Sequence, residues 1–233
     1  MYDLGRERFP AQDDSGLSAW FTLRAGTNDR HAALSCFVSD EYSMAGLGPG
    51  AVAIDIGAHI GGVTVRMASQ GVRVYAFEPV PENFALLQQN VAQNGLGGLV
   101  TCYREAVMGA NGESNVFIST EDPWHRFIGG MYSRGEARAC PCVSLDTLFE
   151  RDRITHCDVM KVDTEGAEYE ILRNVSLDTL RRVRRIVGEF HGISGGPRDG
   201  RAALLEYTRG LFMDATPKGG GVAAFNFVRR GDA

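Results

Sequence analysis

The chemistry-bearing residues of this chain gather first at Asp55-Ile-Gly57-Ala58-His59-Ile-Gly61-Gly62, behind the apolar run Val52-Ala53-Ile54. A second apolar run, Val74–Phe77, ends in Glu78 and Pro79, and Glu78 falls 23 residues after Asp55. Each run reads as a buried strand finishing in an acid, and the first breaks into a glycine turn. Gly57 lets the backbone approach a ligand closely. Gly61 lets the next helix pack tightly while its N-terminal amides meet a carboxylate. Ala58 and His59 lie in the turn, against whatever it holds. Asp55 is placed to meet an ammonium, and Glu78 to accept both hydroxyls of a ribose before Pro79 turns the chain away.

A ligand that offers a carboxylate, an ammonium and a ribose is S-adenosylmethionine, whose product is S-adenosylhomocysteine. A dinucleotide offers a pyrophosphate instead, which Asp55 would repel, and the G-x-G-x-x-G spacing is absent from Gly57 onward. Glycine turns and strand-end acids occur singly in many α/β folds; their conjunction here favours the methyl donor. Glu105-Ala106, at the end of the next expected strand, would meet the adenine amino group, with an edge-strand acid in water as the other reading.

The second constellation is Lys161-Val-Asp163-Thr-Glu165-Gly166-Ala-Glu168-Tyr-Glu170, four acids within eight residues. Acids at a helix start suit the helix dipole, so Glu165 and Glu168 also read as structural. Four exceed what capping needs, and at least one is expected to face substrate. Methyl transfer is an in-line displacement at a sulfonium, so alignment in a dry site is the main task. An alcohol acceptor also needs a base, and the candidates are Asp163, Glu165, Glu189 and His191. His191 has the best unperturbed pKa for a base near neutrality; its other reading is a loop histidine closing a strand. His125, beside Trp124, is a weaker acceptor-site candidate. Asp163, Glu165 and Glu189 could together hold a divalent cation that orients a diol, but nothing in the spacing demands a metal, and a metal-free mechanism is favoured.

The elements that must position these groups alternate from Ala51 onward. Strands are expected at Val52–Ile56, Arg73–Phe77, Leu99–Ala106, Asn115–Thr120, Cys157–Val162 and Arg185–Glu189. Helices are expected from Gly62 to Gln70, from Pro81 to Asn94-Gly95, over Ala167–Val175 and over Arg201–Gly210. Val143 opens a strand-to-helix passage ending near Glu150. Two strands close the chain, near Leu211–Thr216 and Val222–Arg229. This is an α/β pattern with a mostly parallel sheet covered on both faces, whose ligands bind beyond the strands' carboxyl ends. Residues 1–50 read as a lead-in of short irregular elements packing on the core: a strand around Ala19–Arg24, then a helix from Arg30 with Asp29 as a candidate cap. Residues 51–233 form the ligand-binding domain. Residues 121–139 are glycine-rich, aromatic and aperiodic, as in a loop over a site.

Composition narrows the classes. A net charge of −5 argues against a nucleic-acid surface, and the basic run Arg181–Arg185 reads as a solvated helix end. No segment approaches the roughly 20 apolar residues that span a bilayer. The polar, acidic N-terminus resembles neither a signal nor a transit peptide. Five cysteines, an odd number, suit a reduced, cytoplasmic setting. Cys140 and Cys142 are one residue apart, so ordinary buried thiols are expected there rather than a metal site with His156 and Cys157.

Three segments together, IDIGAHIGGVT, FEPVPENFALLQQNVAQNG and MKVDTEGAEYEIL, resemble the FkbM-like family of S-adenosylmethionine-dependent methyltransferases. Upstream, FTLRAGTND and the tyrosine-bearing DEYSM resemble that family's lead-in, so the likeness runs from about Phe21 to Glu189. The KVDTEGAE block is its most specific part. It implies a Rossmann-like class I methyltransferase fold, a seven-stranded, mostly parallel sheet with an antiparallel last strand. It also implies methyl transfer, most often to an oxygen of a sugar or secondary metabolite such as a polyketide. Asp55, Gly57, His59, Gly61 and Glu78 then match the donor-binding positions, and Asp163 the acid beside the transferred methyl. Trp124–Arg138 and the tail after Phe190 have no assigned counterpart and are expected to shape a pocket for a small-molecule acceptor. N-methyl transfer and a nicotinamide-dependent oxidoreductase remain the alternatives; the latter would put Glu78 on the adenine ribose but lacks the pyrophosphate fingerprint. A homo-oligomer is left open.

Overall fold

A computed structural model describes residues 5–118, 126–128, 136–191, 200–217 and 224–231, with the backbone alone at 118 and 126–128. The chain forms two compact units, Met1–Arg104 and Glu105–Ala233.

The first unit opens with an antiparallel hairpin, β1 (Arg6–Gln12) and β2 (Ser18–Arg24). Asp13 closes its turn by accepting hydrogen bonds from Ser15 N, Ser15 Oγ and Leu17 N. β1 lies where irregular chain was expected. Most of its residues are exposed or half-buried, so it carries no apolar alternation to read. α1 (Asp29–Ala33) follows and continues into one π-helical turn, Leu34–Val38. Its cap position is Asn28, because the Asp29 side chain turns back to Arg24.

Next come β3 (Val52–Ile56), α2 (Gly62–Ser69), β4 (Arg73–Phe77), α3 (Pro81–Gln93) and β5 (Val100–Tyr103). The three strands are parallel in the order β3-β4-β5, and Asp55 pairs with Ala76. Ile54, Ile56, Val74, Phe77, Met67 and Leu87 fill the core on their faces. Fully burying each such side chain contributes about 1.5–3 kcal/mol. Pro81 opens α3 and Asn94 closes it, as expected. The hairpin packs on α3 through polar contacts: Thr22 N donates to Asn90 Oδ1 at 2.7 Å and Trp20 N to Asn94 Oδ1 at 2.8 Å. Arg66 of α2 is buried against Asp13 and Asp40, each 3.0 Å away, and also donates to the Phe37 carbonyl.

The second unit begins with a four-stranded sheet in the order β6-β9-β7-β8, built from β6 (Ala106–Met108), β7 (Gly112–Ile118), β8 (Arg126–Ile128) and β9 (Glu136–Ser144). The single strand expected over Leu99–Ala106 is therefore two, parted at Arg104-Glu105 and belonging to different sheets. The aperiodic segment 121–139 contains β8 and the start of β9; its remaining residues lie outside those described.

Beyond them run α4 (Leu145–Arg151), β10 (Val159–Val162), α5 (Glu168–Asn174), α6 (Leu177–Leu180), β11 (Arg185–Glu189), α7 (Gly200–Tyr207), β12 (Phe212–Asp214) and β13 (Ala224–Arg229). The four-residue α6 is too short for a helical period to show in sequence. Cys157 stands outside β10, as an isolated bridge to Val183. β10 and β11 are parallel, and β13 is antiparallel to both β11 and β12. Gly188 sets how closely β10 and β11 approach: a Cβ there would lie 1.7 Å from the Val162 carbonyl oxygen.

The large sheet thus has seven strands, β3–β5 and β10–β13, mostly parallel with β13 antiparallel. The α/β class and the antiparallel last strand match the expectation. All five cysteines are free thiols, and no helix among the described residues is long and apolar enough to cross a membrane.

Candidate functional site

In the first unit β3 ends in Asp55, and the chain turns through Gly57 (φ +80°), His59 (φ +51°) and Gly61 (φ +95°) into α2. Glycine adopts such left-handed angles freely, whereas a histidine there is held by its surroundings. Gly61 also lies under α3, where an added Cβ would sit 2.9 Å from Leu87 Cδ1. Four loop amides are engaged within the fold: Gly57 N and Ala58 N donate to the Phe77 carbonyl, Gly61 N to the Ala58 carbonyl and His59 N to Glu78 Oε2.

Asp55 is fully buried and accepts a 2.6 Å hydrogen bond from Thr64 Oγ1 in the first turn of α2. It braces the loop from below, a role its place at a strand tip does not reveal. Burial, with the Asp55 charge adding to it, pushes the neighbouring Cys102 thiol up to about 11. Glu78 is nearly buried, and its Oε1 accepts from Val80 N at 2.9 Å once Pro79 has turned the chain. Oε1 also accepts from Asn83 Nδ2 of α3 at 3.4 Å.

A group that sequence reasoning missed stands beside His59. Arg24, at the end of β2, donates from Nε and Nη2 to the two carboxylate oxygens of Asp29 at 2.9 and 2.8 Å. Its backbone N–H reaches Asp29 as well. Burial alone would raise the Asp29 pKa, but the hydrogen bonds and charge of Arg24 outweigh it and hold the carboxyl below its usual range. Arg24 Nη2 also lies 3.4 Å from His59 Nε2. The same His59 Nε2 lies 3.7 Å from Asp29 Oδ1. Arg24 and His59 lie 35 residues apart, and no period links them.

The second unit carries the acid–histidine cluster. The chain leaves β10 through Asp163 and Glu165 (φ +58°) into α5. Glu168 is fully buried, and its Oε1 accepts from Thr164 N, Thr164 Oγ1 and Gly166 N, at 2.8, 2.9 and 3.2 Å. The same oxygen lies 3.1 Å from His191 Nδ1. His191 Nε2 faces Glu165 Oε2 at 3.3 Å and Asp163 Oδ1 at 3.9 Å. Buried Lys161 stands 3.5 Å from the other Asp163 oxygen.

Burial disfavours the His191 charge, but Glu168, Glu165 and Asp163 outweigh it and raise the pKa to about 9. At neutral pH His191 therefore holds a proton, which differs from the free-base state expected of an unperturbed histidine. Three carboxylates converging on one ring are the cause. Glu189, half-buried, comes close as well: Asp163, Glu189 and His191 each bring a ligand-capable atom within 4.8 Å of the others. A protonated imidazole cannot ligate a metal, so a cation there would first have to displace that proton.

The structure thus gathers Asp55, Gly57, Ala58, His59, Gly61, Glu78 and Pro79 around one loop, and Asp163, Glu165, Glu189 and His191 around another. Glu105 accepts two hydrogen bonds from Arg151 Nη1, at 3.0 and 2.8 Å, and Ala106 begins β6 in the four-stranded sheet. Glu105, two residues past the end of β5, is thus paired with Arg151. Trp124 and His125 lie outside the described residues. Arg24, Asp29, Thr64 and Glu168 are additions. Glu168 was singled out in sequence, though helix capping accounted for it equally well, and Arg24, Asp29 and Thr64 lay inside the family-like segments without a role assigned at the site.

A model of the methyltransferase FkbM domain matches residues 55–210, which take in both loops. The 31-O-demethyl-FK506 methyltransferase FkbM of Streptomyces tacrolimicus is 26% identical over 178 residues, 64% of this chain and 68% of that protein. The hexuronic acid methyltransferase AglP of Haloferax volcanii is 30% identical over 155 residues, 65% of this chain and 60% of its own length. Another curated relative matches 84% of the chain, which spans only 11% of that much longer protein. Among solved structures, a methyltransferase FkbM from Methylobacillus flagellatus superposes with a TM-score of 0.50 at 13% identity, covering 76% of this chain and 43% of that one, a likeness of fold. With the family's domain matched across both loops, the chain belongs to the FkbM methyltransferase family.

Proposed function

We propose that this chain is an S-adenosylmethionine-dependent methyltransferase that methylates a hydroxyl oxygen of a sugar or secondary metabolite. The observation that carries the donor assignment is the Glu78-to-His59 hydrogen bond, which fastens a strand-tip carboxylate to a glycine turn. The donor set suits an adenosyl amino acid: a buried acid at a strand tip, able to accept from ribose hydroxyls, beside a turn whose glycines keep the backbone bare. Bound there, S-adenosylmethionine supplies an electrophilic methyl group on a sulfonium.

The chain's own residues then have separable tasks. Glu78 orients the nucleoside, and Asp55 keeps the turn in place through Thr64. Asp163 accepts the acceptor hydroxyl's proton as the oxygen attacks, while protonated His191, fixed by Glu168, stands beside Asp163 and Glu165. This gives the base role to an acid rather than to His191, whose lone pair is occupied at neutrality. The two named relatives, one named for 31-O-demethyl-FK506 and one for a hexuronic acid, support an oxygen acceptor.

The test is donor-dependent methylation of a panel of sugars, uronic acids and hydroxylated metabolites. With a competent acceptor, Asp163→Asn should lower kcat by about 10²–10⁴-fold and leave the donor Kd within a factor of about three. Unchanged kcat in D163N would remove Asp163 from the mechanism.

A further inference from the structure

The geometry points to Arg24, outside the glycine loop and far from it in sequence, as the residue that receives the carboxylate of the donor's amino acid end. This rests on the donor reading above. The loop itself is poorly placed for that task. The amides of Gly57, Ala58, His59 and Gly61 are engaged within the fold. From Asp55 to Ala68, Gly57 and His59 are partly exposed and every other residue is buried, including the first turn of α2. An anion arriving at this loop meets its rim and not the helix end.

At that rim stands the guanidinium. It touches the His59 ring through Nη2, and Asp29 occupies Nε and Nη2 as a two-point brace. That leaves Nη1, for which no acceptor lies within hydrogen-bond distance among the described residues. The Arg24 side chain is 13% exposed and that of Asp29 is 1% exposed, so the carboxylate of the brace is dry while part of the arginine side chain stays accessible. A buried carboxylate that fixes the planar fork preorganises its remaining donors, which limits the entropy lost when a ligand binds. The Arg24–Asp29 pair is itself neutral, and the ligand's own ammonium balances the charge its carboxylate brings.

The probes are S-adenosylhomocysteine, which carries the carboxylate, and 5′-methylthioadenosine, which lacks the amino acid end. Calorimetric Kd values are measured for both on the wild-type protein, R24K, R24Q and R24Q/D29N. The double variant removes the buried unpaired carboxylate that R24Q alone leaves, so a folded protein is available to test. Loss of a charge-assisted contact should weaken S-adenosylhomocysteine by about 10- to 100-fold in R24Q and in the double variant. Methylthioadenosine should bind all four proteins alike, and R24K should recover part of the loss. Equal weakening of both ligands, or of neither, overturns the assignment. Wild-type protein that binds neither nucleoside overturns the donor reading, and this assignment with it.

Discussion

His191 shows how neighbours reset a side chain's chemistry. Its pKa is raised to about 9 from the ordinary 6.5 because Glu168, Glu165 and Asp163 outweigh the burial that opposes its charge. A folded-state pKa above the unfolded one contributes stability that is full below about 6.5 and lost as pH rises through about 9. The melting temperature of the wild-type protein should therefore fall between pH 6.5 and 9.5 by more than that of His191→Gln. Equal slopes in thermal melts of the two proteins would show that the ring is not charged in the fold. Spacing marked Asp55, Glu78, Asp163 and His191 as chemistry-bearing because acids at the ends of apolar strands stand out against their context. It could not show that Asp55 faces Thr64, or that His191 is surrounded by acids, since side-chain direction at a loop is a tertiary property.

At the scale of elements, two backbone approaches decide the geometry of both loops. Gly61 lets α2 start beneath Leu87, and Gly188 lets β11 lie against the carbonyl edge of β10. Gly188→Ala places a methyl group 1.7 Å from the Val162 oxygen, so the strands must part. That overpacking should cost about 3 kcal/mol or more, roughly 6–12 °C in melting temperature. Gly98→Ala, where a Cβ meets nothing within 4 Å, is the control and should shift melting by no more than about 2 °C. A G188A protein that melts with the control would contradict this packing. The parallel strands and long helices were readable because continuous apolar runs, Pro81 and Asn94-Gly95 mark them. β1, α6 and the break at Arg104-Glu105 were not, being short, polar or set by which sheet a strand joins.

Across the whole molecule, the two loops that the family match takes in sit in different compact units, the glycine turn in the first and the acid–histidine cluster in the second. The N-terminal lead-in is more than a preamble. It supplies Arg24 and Asp29 beside the glycine turn, and its hairpin is hydrogen-bonded to α3 through Asn90 and Asn94. Its importance was hidden because Arg24 and His59 are brought together only by the hairpin's packing. The central claim is that the glycine turn and Glu78 bind the adenosyl amino acid of a methyl donor. Its most direct test is calorimetric titration of the purified protein with S-adenosylmethionine and, in parallel, NAD. Saturable binding of S-adenosylmethionine, weakened at least about tenfold by Glu78→Gln and with no heat from NAD, is the expected result. Binding of NAD with none of S-adenosylmethionine would contradict it.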